Sequence, residues 1–144
     1  MIRYATPADS RRVWELICTL EEHELDYLGF CRAYTEQQDD GRHAAFVWTD
    51  AAAHSDRVLA LLNMRIEQQL HHAGLIAEVQ ELVVSPELRG QGVGKQLLDR
   101  AVEEARRAGC LRLELVTNRR RVGAHRFYER EGMRQTHYGY TMDL

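Results

Sequence analysis

The strongest constraint on how this chain can fold lies between residues 78 and 95, where a strand pattern, a glycine-rich turn and a helix start follow one another without a break. The apolar run Leu75–Ser85 suits a buried strand, and Pro86 stops it because proline has no N–H to give to a ladder. Strict alternation puts Glu78, Gln80, Leu82 and Val84 on one face, and Val79, Glu81 and Val83 on the other. Then comes Arg89-Gly90-Gln91-Gly92-Val93-Gly94-Lys95, with three glycines at every second position. Over residues 92–108 the apolar positions Val93, Leu97, Leu98, Ala101, Val102, Ala105 and Ala108 recur at helical spacing, and Gly109 supplies the stop. A strand that hands the chain to a helix in this way is a building block of an α/β domain.

The glycines carry chemistry as well as geometry. Glycine lets the backbone approach a ligand closely and adopt positive φ. The first turn of a helix offers N–H groups and the positive end of its dipole. Together these make a cradle for a pyrophosphate, with Arg89 and Lys95 adding charge. A tight strand-to-helix turn that needs glycine only for its shape is the plainer alternative. Two other phosphate cradles do not fit. In a P-loop the lysine is followed by Ser or Thr, whereas Lys95 is followed by Gln96. A dinucleotide fingerprint needs an acidic residue at the end of the next strand, and Glu114 sits in the middle of one.

Elsewhere, residues 2–5 suit a short strand, and Thr6-Pro7-Ala8-Asp9 has the form of a helix entry. Val13, Trp14, Ile17 and Leu20 continue that helix, and Leu25, Leu28 and Tyr34 suggest a second one around Gly29. Ala44–Thr49 and Val58–Ile66 read as strands joined by the polar stretch Asp50–Arg57. His71, His72 and Gly74 mark a turn. Leu111, Leu113 and Leu115 alternate with charges as in a half-buried strand. A helix over Val122–Arg130 is expected to end at Gly132, and Met133–Asp143 to form a last strand with Tyr138, Tyr140 and Met142 on one face. The expectation is one α/β domain over residues 1–144, with a mixed central sheet of about six strands and about four helices.

Composition narrows the function. A net charge of -3 leaves no basic field for a nucleic-acid backbone, so no nucleic-acid partner is expected. Three cysteines without CxxC spacing argue against a disulfide framework or a zinc knuckle and fit a reducing compartment. No stretch approaches the ~20 apolar residues of a membrane span, and the first residues lack a signal-peptide run. A cytoplasmic protein is expected, and the tyrosine-rich last strand would offer an edge for a homodimer.

Arg89-x-x-Gly92-x-Gly94, after Glu81-Leu82-Val83-Val84-Ser85-Pro86, resembles the acetyl-CoA motif of the GNAT superfamily of N-acetyltransferases. Ala124-His125-Arg126-Phe127-Tyr128, followed by Gly132-Met133, is similar to that family's last motif. Leu70-His71-His72, the run Glu78–Val84 and Ala124–Tyr128 together are similar to bacterial aminoalkylphosphonate N-acetyltransferases, loosely so between about residues 35 and 65. The resemblance implies a GNAT fold, acetyl-CoA as co-substrate, and direct attack of a small primary amine on the thioester. Another amine (a polyamine, an antibiotic or a protein N-terminus) and a non-catalytic coenzyme A sensor on the same fold are the rival readings.

On that resemblance each residue has a role beside a plainer alternative. An alkylamine with pKa near ~10 needs a base at neutral pH, and Glu78 is the first candidate; otherwise it is a strand-start carboxylate paired with an arginine. Glu81, on the other face, is assigned to structure. Tyr128 is the candidate acid for the departing thiolate, or else a core aromatic beside Phe127. Leu82, Val83 and Val84 would hold the pantetheine arm by backbone bonds, and Arg89, Gly90, Gln91, Gly92, Val93, Gly94 and Lys95 the pyrophosphate. Asn118, just beyond the following strand, is a candidate further coenzyme contact; the chain departs from the family pattern at Arg121, where many relatives carry asparagine. Arg65 and His72 are the candidates for a phosphonate, with Arg32 and Arg42 close behind. A histidine of the His71-His72 pair, with Glu78, could hold a divalent metal ion.

Overall fold

The structure, a computed structural model, describes residues 1–50 and 56–144. Part of the expected polar connection, residues 51–55, lies outside the described residues. The chain divides into two compact units, Met1–Glu114 and Leu115–Leu144.

In the first unit β1 (Ile2–Tyr4) leads through a 3-10 turn at Pro7–Asp9 into α1 (Ser10–Glu21). The entry is held by Asp9, whose carboxylate accepts from the Thr6 N–H at 2.7 Å and from two Arg3 nitrogens at 2.8 and 2.9 Å. Burial opposes the charge on Asp9, but the bonds from Arg3 and Thr6 outweigh it and hold the carboxyl below the usual carboxylate range. α2 (Tyr27–Asp39) is the weakly patterned second helix, and its first turn is capped by Asp26, which accepts from the Gly29 N–H at 2.6 Å.

β2 (His43–Thr49), β3 (Val58–Gln69), β4 (Gly74–Val84), α3 (Val93–Arg107) and β5 (Arg112–Leu115) follow. The strands lie in the order β1-β2-β3-β4-β5. Neighbours from β1 to β4 are antiparallel, and β5 joins β4 after the α3 crossover, the type of connection parallel neighbours require. One face of the sheet packs Leu61 and Val83 against Val13, Leu16 and Ile17 of α1 and Tyr34 of α2. The other carries Phe46 and its cross-strand partner Leu62, and Arg100 of α3 lies over the Phe46 ring at 4.4 Å. The apolar stripe of α3, with Leu97 and Ala101 fully buried, therefore covers this second face.

One irregularity decides how the site is built. Asn63 pairs with Glu81 while the next residue, Met64, pairs with Val79, so Gln80 is an extra residue without a partner on β3. Such a bulge shifts the side-chain alternation by one. Residues directly opposite share a face, and Asn63 and Met64 face opposite ways, so Val79 and Glu81 do too. Glu78, opposite Arg65, thus shares the α1–α2 face with Glu81. The strict alternation that separated the two carboxylates is corrected by this inserted residue.

The second unit contains α4 (Val122–Arg130), which ends before Gly132 at φ +89°. The expected strand over Met133–Asp143 is not formed, so the described sheet has five strands rather than about six. Tyr138, Tyr140 and Met142 stay exposed; with no apolar burial to repay the ordering of the backbone, the alternation alone makes no strand. The edge that this strand would have offered a partner subunit is likewise not formed. Among the described residues no helix is long and apolar enough to cross a membrane.

Candidate active site

The segment expected to hold the coenzyme takes its form from the way β4 ends. Ser85 donates its N–H to Leu59 O at 2.8 Å, so by antiparallel alternation Val83 also faces β3, and Leu82 and Val84 turn their backbone groups to the outer edge. β5 starts alongside the opposite end of β4, where the Leu111 N–H reaches Leu75 O at 2.8 Å. Its four residues span only roughly 13 Å, and Leu82 lies roughly 23 Å along the strand from Leu75. β5 therefore leaves the outer edge of Leu82–Val84 open to an extended ligand.

Beyond a 3-10 turn at Pro86–Leu88 the chain passes Arg89 and reaches Gly90 and Gly92, both at φ +78°. Gly92 caps α3, and the first helical bond, Gln96 N–H to Gly92 O at 3.1 Å, leaves Val93 and Gly94 without an acceptor inside the helix. A side chain at Gly90 or Gly92 would project into open space, so backbone conformation, not crowding, selects glycine there. Lys95 Nζ is engaged with Asp99 at 3.1 Å, while Arg89 and Gln91 are exposed beside the turn. Gly92→Val is expected to strain this cap by about 1–2 kcal/mol and to raise KM for acetyl-CoA at least about tenfold, with a smaller effect on the amine KM. Initial-rate measurements with acetyl-CoA varied would check it, and an unchanged coenzyme KM would count against the cradle.

On the α1–α2 face lies a pocket of about 560 Å³. Val13, Ile17, Leu25, Phe30 and Leu61 form its apolar wall, and Asn63, Glu81, Gln37 and His43 its polar side. Asn63 Nδ2 donates to Glu81 Oε2 and to Gln37 Oε1, both at 2.8 Å. Burial pushes the Glu81 carboxyl above the ordinary range; the Asn63 bond pulls it down, the nearby Glu21 charge adds to the rise and His43 opposes it. Arg65 is cross-strand to Glu78 on the same face, yet its guanidinium pairs with Glu67 at 2.8 Å rather than with Glu78. Among the described residues Glu78 has no ion-pair partner.

His72 is not brought to this group. It sits in the 3-10 turn Leu70–His72 between β3 and β4, and from Arg65 to Gln69 alone the strand runs roughly 13 Å. Its Nδ1 meets Gln69 Oε1 at 2.9 Å, and its Nε2 lies 3.3 Å from Arg112 Nη1 and 3.6 Å from Glu114. Both ring nitrogens are thereby occupied. Among the described residues no cluster of three His, Cys, Asp or Glu stands ready for a metal ion.

In the second unit Tyr128 lies on α4, edge-on to Phe127 with ring centroids 5.2 Å apart. Burial raises its phenol above the usual tyrosine value, against an opposing pull from Arg121. Asn118 Oδ1 accepts from the Arg120 N–H at 3.0 Å, which ties its side chain into the turn before α4.

Residues 11–133 match the family described as acetyltransferase (GNAT) family. The chain belongs to the GNAT family. As a member it is an N-acetyltransferase, and acetyl-CoA is the co-substrate such enzymes use. This GNAT chain is 43% identical over 143 residues to an aminoalkylphosphonate N-acetyltransferase of Salmonella typhimurium, covering 99% of the chain and 90% of that relative. In structure it is similar to a transcriptional regulator from Bacillus halodurans C-125 (TM-score 0.90, 25% identity, 100% and 99% coverage). It is also similar to a putative acetyltransferase from Agrobacterium tumefaciens str. C58 (TM-score 0.85, 25% identity, 100% and 99% coverage).

Among the polar residues of the GNAT pocket that sequence reasoning missed are Asn63, Gln37 and His43. Asn63 did carry a signal: it is the lone amide inside the apolar run Val58–Met64, and a buried amide needs partners. Gln37 and His43 gave none, because their place in the pocket comes from the packing of α2 against β2.

Proposed function

We propose that this enzyme transfers the acetyl group of acetyl-CoA to the primary amine of a small aminoalkylphosphonate. The observation that carries the substrate class is the 43% identity, over nearly the whole chain, to a relative that bears that name. The open edge at Leu82–Val84 and the positive-φ turn at Gly90 and Gly92 support the coenzyme side. In this reading Leu82 and Val84 hold the pantetheine arm by backbone bonds, and one such N–H polarises the thioester carbonyl. The pyrophosphate lies on the N–H groups from Gly90 to Gly94, flanked by Arg89, Gln91 and Lys95, with Asn118 as a further contact.

Glu78 takes a proton from the amine, directly or through water. The nitrogen attacks the acetyl carbon, the C–S bond breaks, and Tyr128 protonates the departing thiolate. Arg65 is the stronger phosphonate candidate, since it shares the face of Glu78, while His72 is committed to Gln69 and Arg112. The test is release of coenzyme A from acetyl-CoA with aminomethylphosphonate, 2-aminoethylphosphonate, a polyamine and simple alkylamines. Turnover is expected to be best with an aminophosphonate. Good turnover confined to other amines would overturn the substrate class and spare the chemistry.

A second reading has one observation behind it. Among the described residues, the pocket is lined by Asp26 and Glu81 but by no Lys or Arg. That lining favours an amine without an anionic group, and the same panel separates the two readings.

A further inference from the structure

Three side chains in the pocket keep hydrogen-bond acceptor capacity, and one of their acceptor atoms has nothing to accept from. The Asn63 amide group gives its two N–H bonds to Gln37 Oε1 and Glu81 Oε2. Its own Oδ1 is buried without a partner among the described residues, in a residue only 7% exposed. Gln37 Oε1 and Glu81 Oε2 each accept one bond, and an amide or carboxylate oxygen has a second lone pair to offer. The group that satisfies such a cluster brings several N–H donors and a positive charge, which is the chemistry of a primary ammonium. Phe30, Leu25, Val13 and Leu61 in the wall would exclude water from around it.

From this geometry we infer that the Glu81–Asn63–Gln37 cluster is the recognition point for the substrate's ammonium group. Glu81 is then a specificity residue, distinct from Glu78 as proton acceptor. The inference deepens the proposed function and rests on it for the identity of the ligand as a substrate. Glu81 stands on this face through its direct pairing with Asn63, and the bulge at Gln80 brings Glu78 to the same face. Two residues along the same face of β3, roughly 7 Å on by strand rise, stands Arg65, whose Nε is buried without an acceptor among the described residues. An acceptor cluster and a donor at that separation match a short zwitterion with an amine at one end and an acid at the other.

The experiment is calorimetric binding of three probes to the wild type and to Glu81→Gln: n-butylamine, 2-aminoethylphosphonate and ethylphosphonate. The glutamine keeps the size of the side chain and the bond from Asn63 but removes the charge. Affinity for both amine-bearing probes should fall about tenfold or more, while ethylphosphonate, which has no amine, should bind the two proteins equally. In steady state the amine KM should rise by a similar factor, with kcat held within about threefold. Should 2-aminoethylphosphonate not bind the wild type while n-butylamine binds and loses affinity in the variant, the recognition point stands and the phosphonate reading falls. Equal binding of the amines to both proteins, no amine binding to the wild type, or equal losses for all three probes overturns the inference. A fall in kcat at constant KM does the same, since it makes Glu81 a proton-transfer group.

Discussion

Tyr128→Phe is expected to lower kcat about 10²-fold or more while leaving the KM for acetyl-CoA within about threefold. The substitution removes one oxygen and keeps the ring that lies edge-on to Phe127, so α4 should fold unchanged. On the proposed mechanism, what goes is the proton for the thiolate. Burial has raised the phenol above its usual value, and the raised value has a direction of consequence. A general acid must be protonated to act, so the wild-type kcat should stay level further into the alkaline range than an ordinary tyrosine would allow. Loss of protonated Tyr128 then sets the alkaline limb, and in the phenylalanine variant that limb should vanish along with most of the rate. Stopped-flow or thiol-release kinetics from pH 7 upward would read both effects. If kcat in the variant matches the wild type, Tyr128 is a packing residue and the acid must be sought elsewhere.

Glu78→Gln should also cost about 10²-fold in kcat at neutral pH, with a pH signature of its own. The amine has a pKa near ~10, so a rising pH supplies the neutral nucleophile without help. The defect should therefore shrink as pH approaches that value. A purely structural glutamate would show no such recovery, and its loss would appear as a lower Tm. The contrast with Glu81→Gln is sharp: one variant loses kcat and recovers in base, the other loses affinity for amines. Two carboxylates three positions apart thereby receive different tests.

Much of this was open to sequence reading because it rests on local rules. The strand, turn and helix around Gly90–Gly94 follow from glycine conformations and apolar periodicity, and α4 formed over Val122–Arg130 as its pattern predicts. The resemblance of Phe127-Tyr128 and of the glycine turn to family motifs is likewise local, carried by residues close together in the chain. What could not be read depends on pairing between strands. The place of Gln80 outside the ladder is a property of β3 and β4 together, and no alternation rule applied to β4 alone reveals it. The last segment fails for the opposite reason. Tyr138, Tyr140 and Met142 have the right period, but a period becomes a strand only where a neighbouring surface receives it. Asn63 lies between these cases, visible as a polar interruption but silent about its partners.

The inserted residue at Gln80 also has a bearing on how such an enzyme could change its substrate over time. Segments on either side of it are out of phase, so the length of the chain between Glu78 and Glu81 decides whether one or two carboxylates lie on the α1–α2 face of the sheet. Removing or restoring a single codon there would redraw the charge of the binding face without replacing any lining side chain. Conventional point substitution explores pocket chemistry one group at a time, whereas this position switches the whole alternation of half a strand. It is a natural place for relatives on the same scaffold to diverge in the amines they accept, while the proposed coenzyme cradle beyond the strand is left undisturbed.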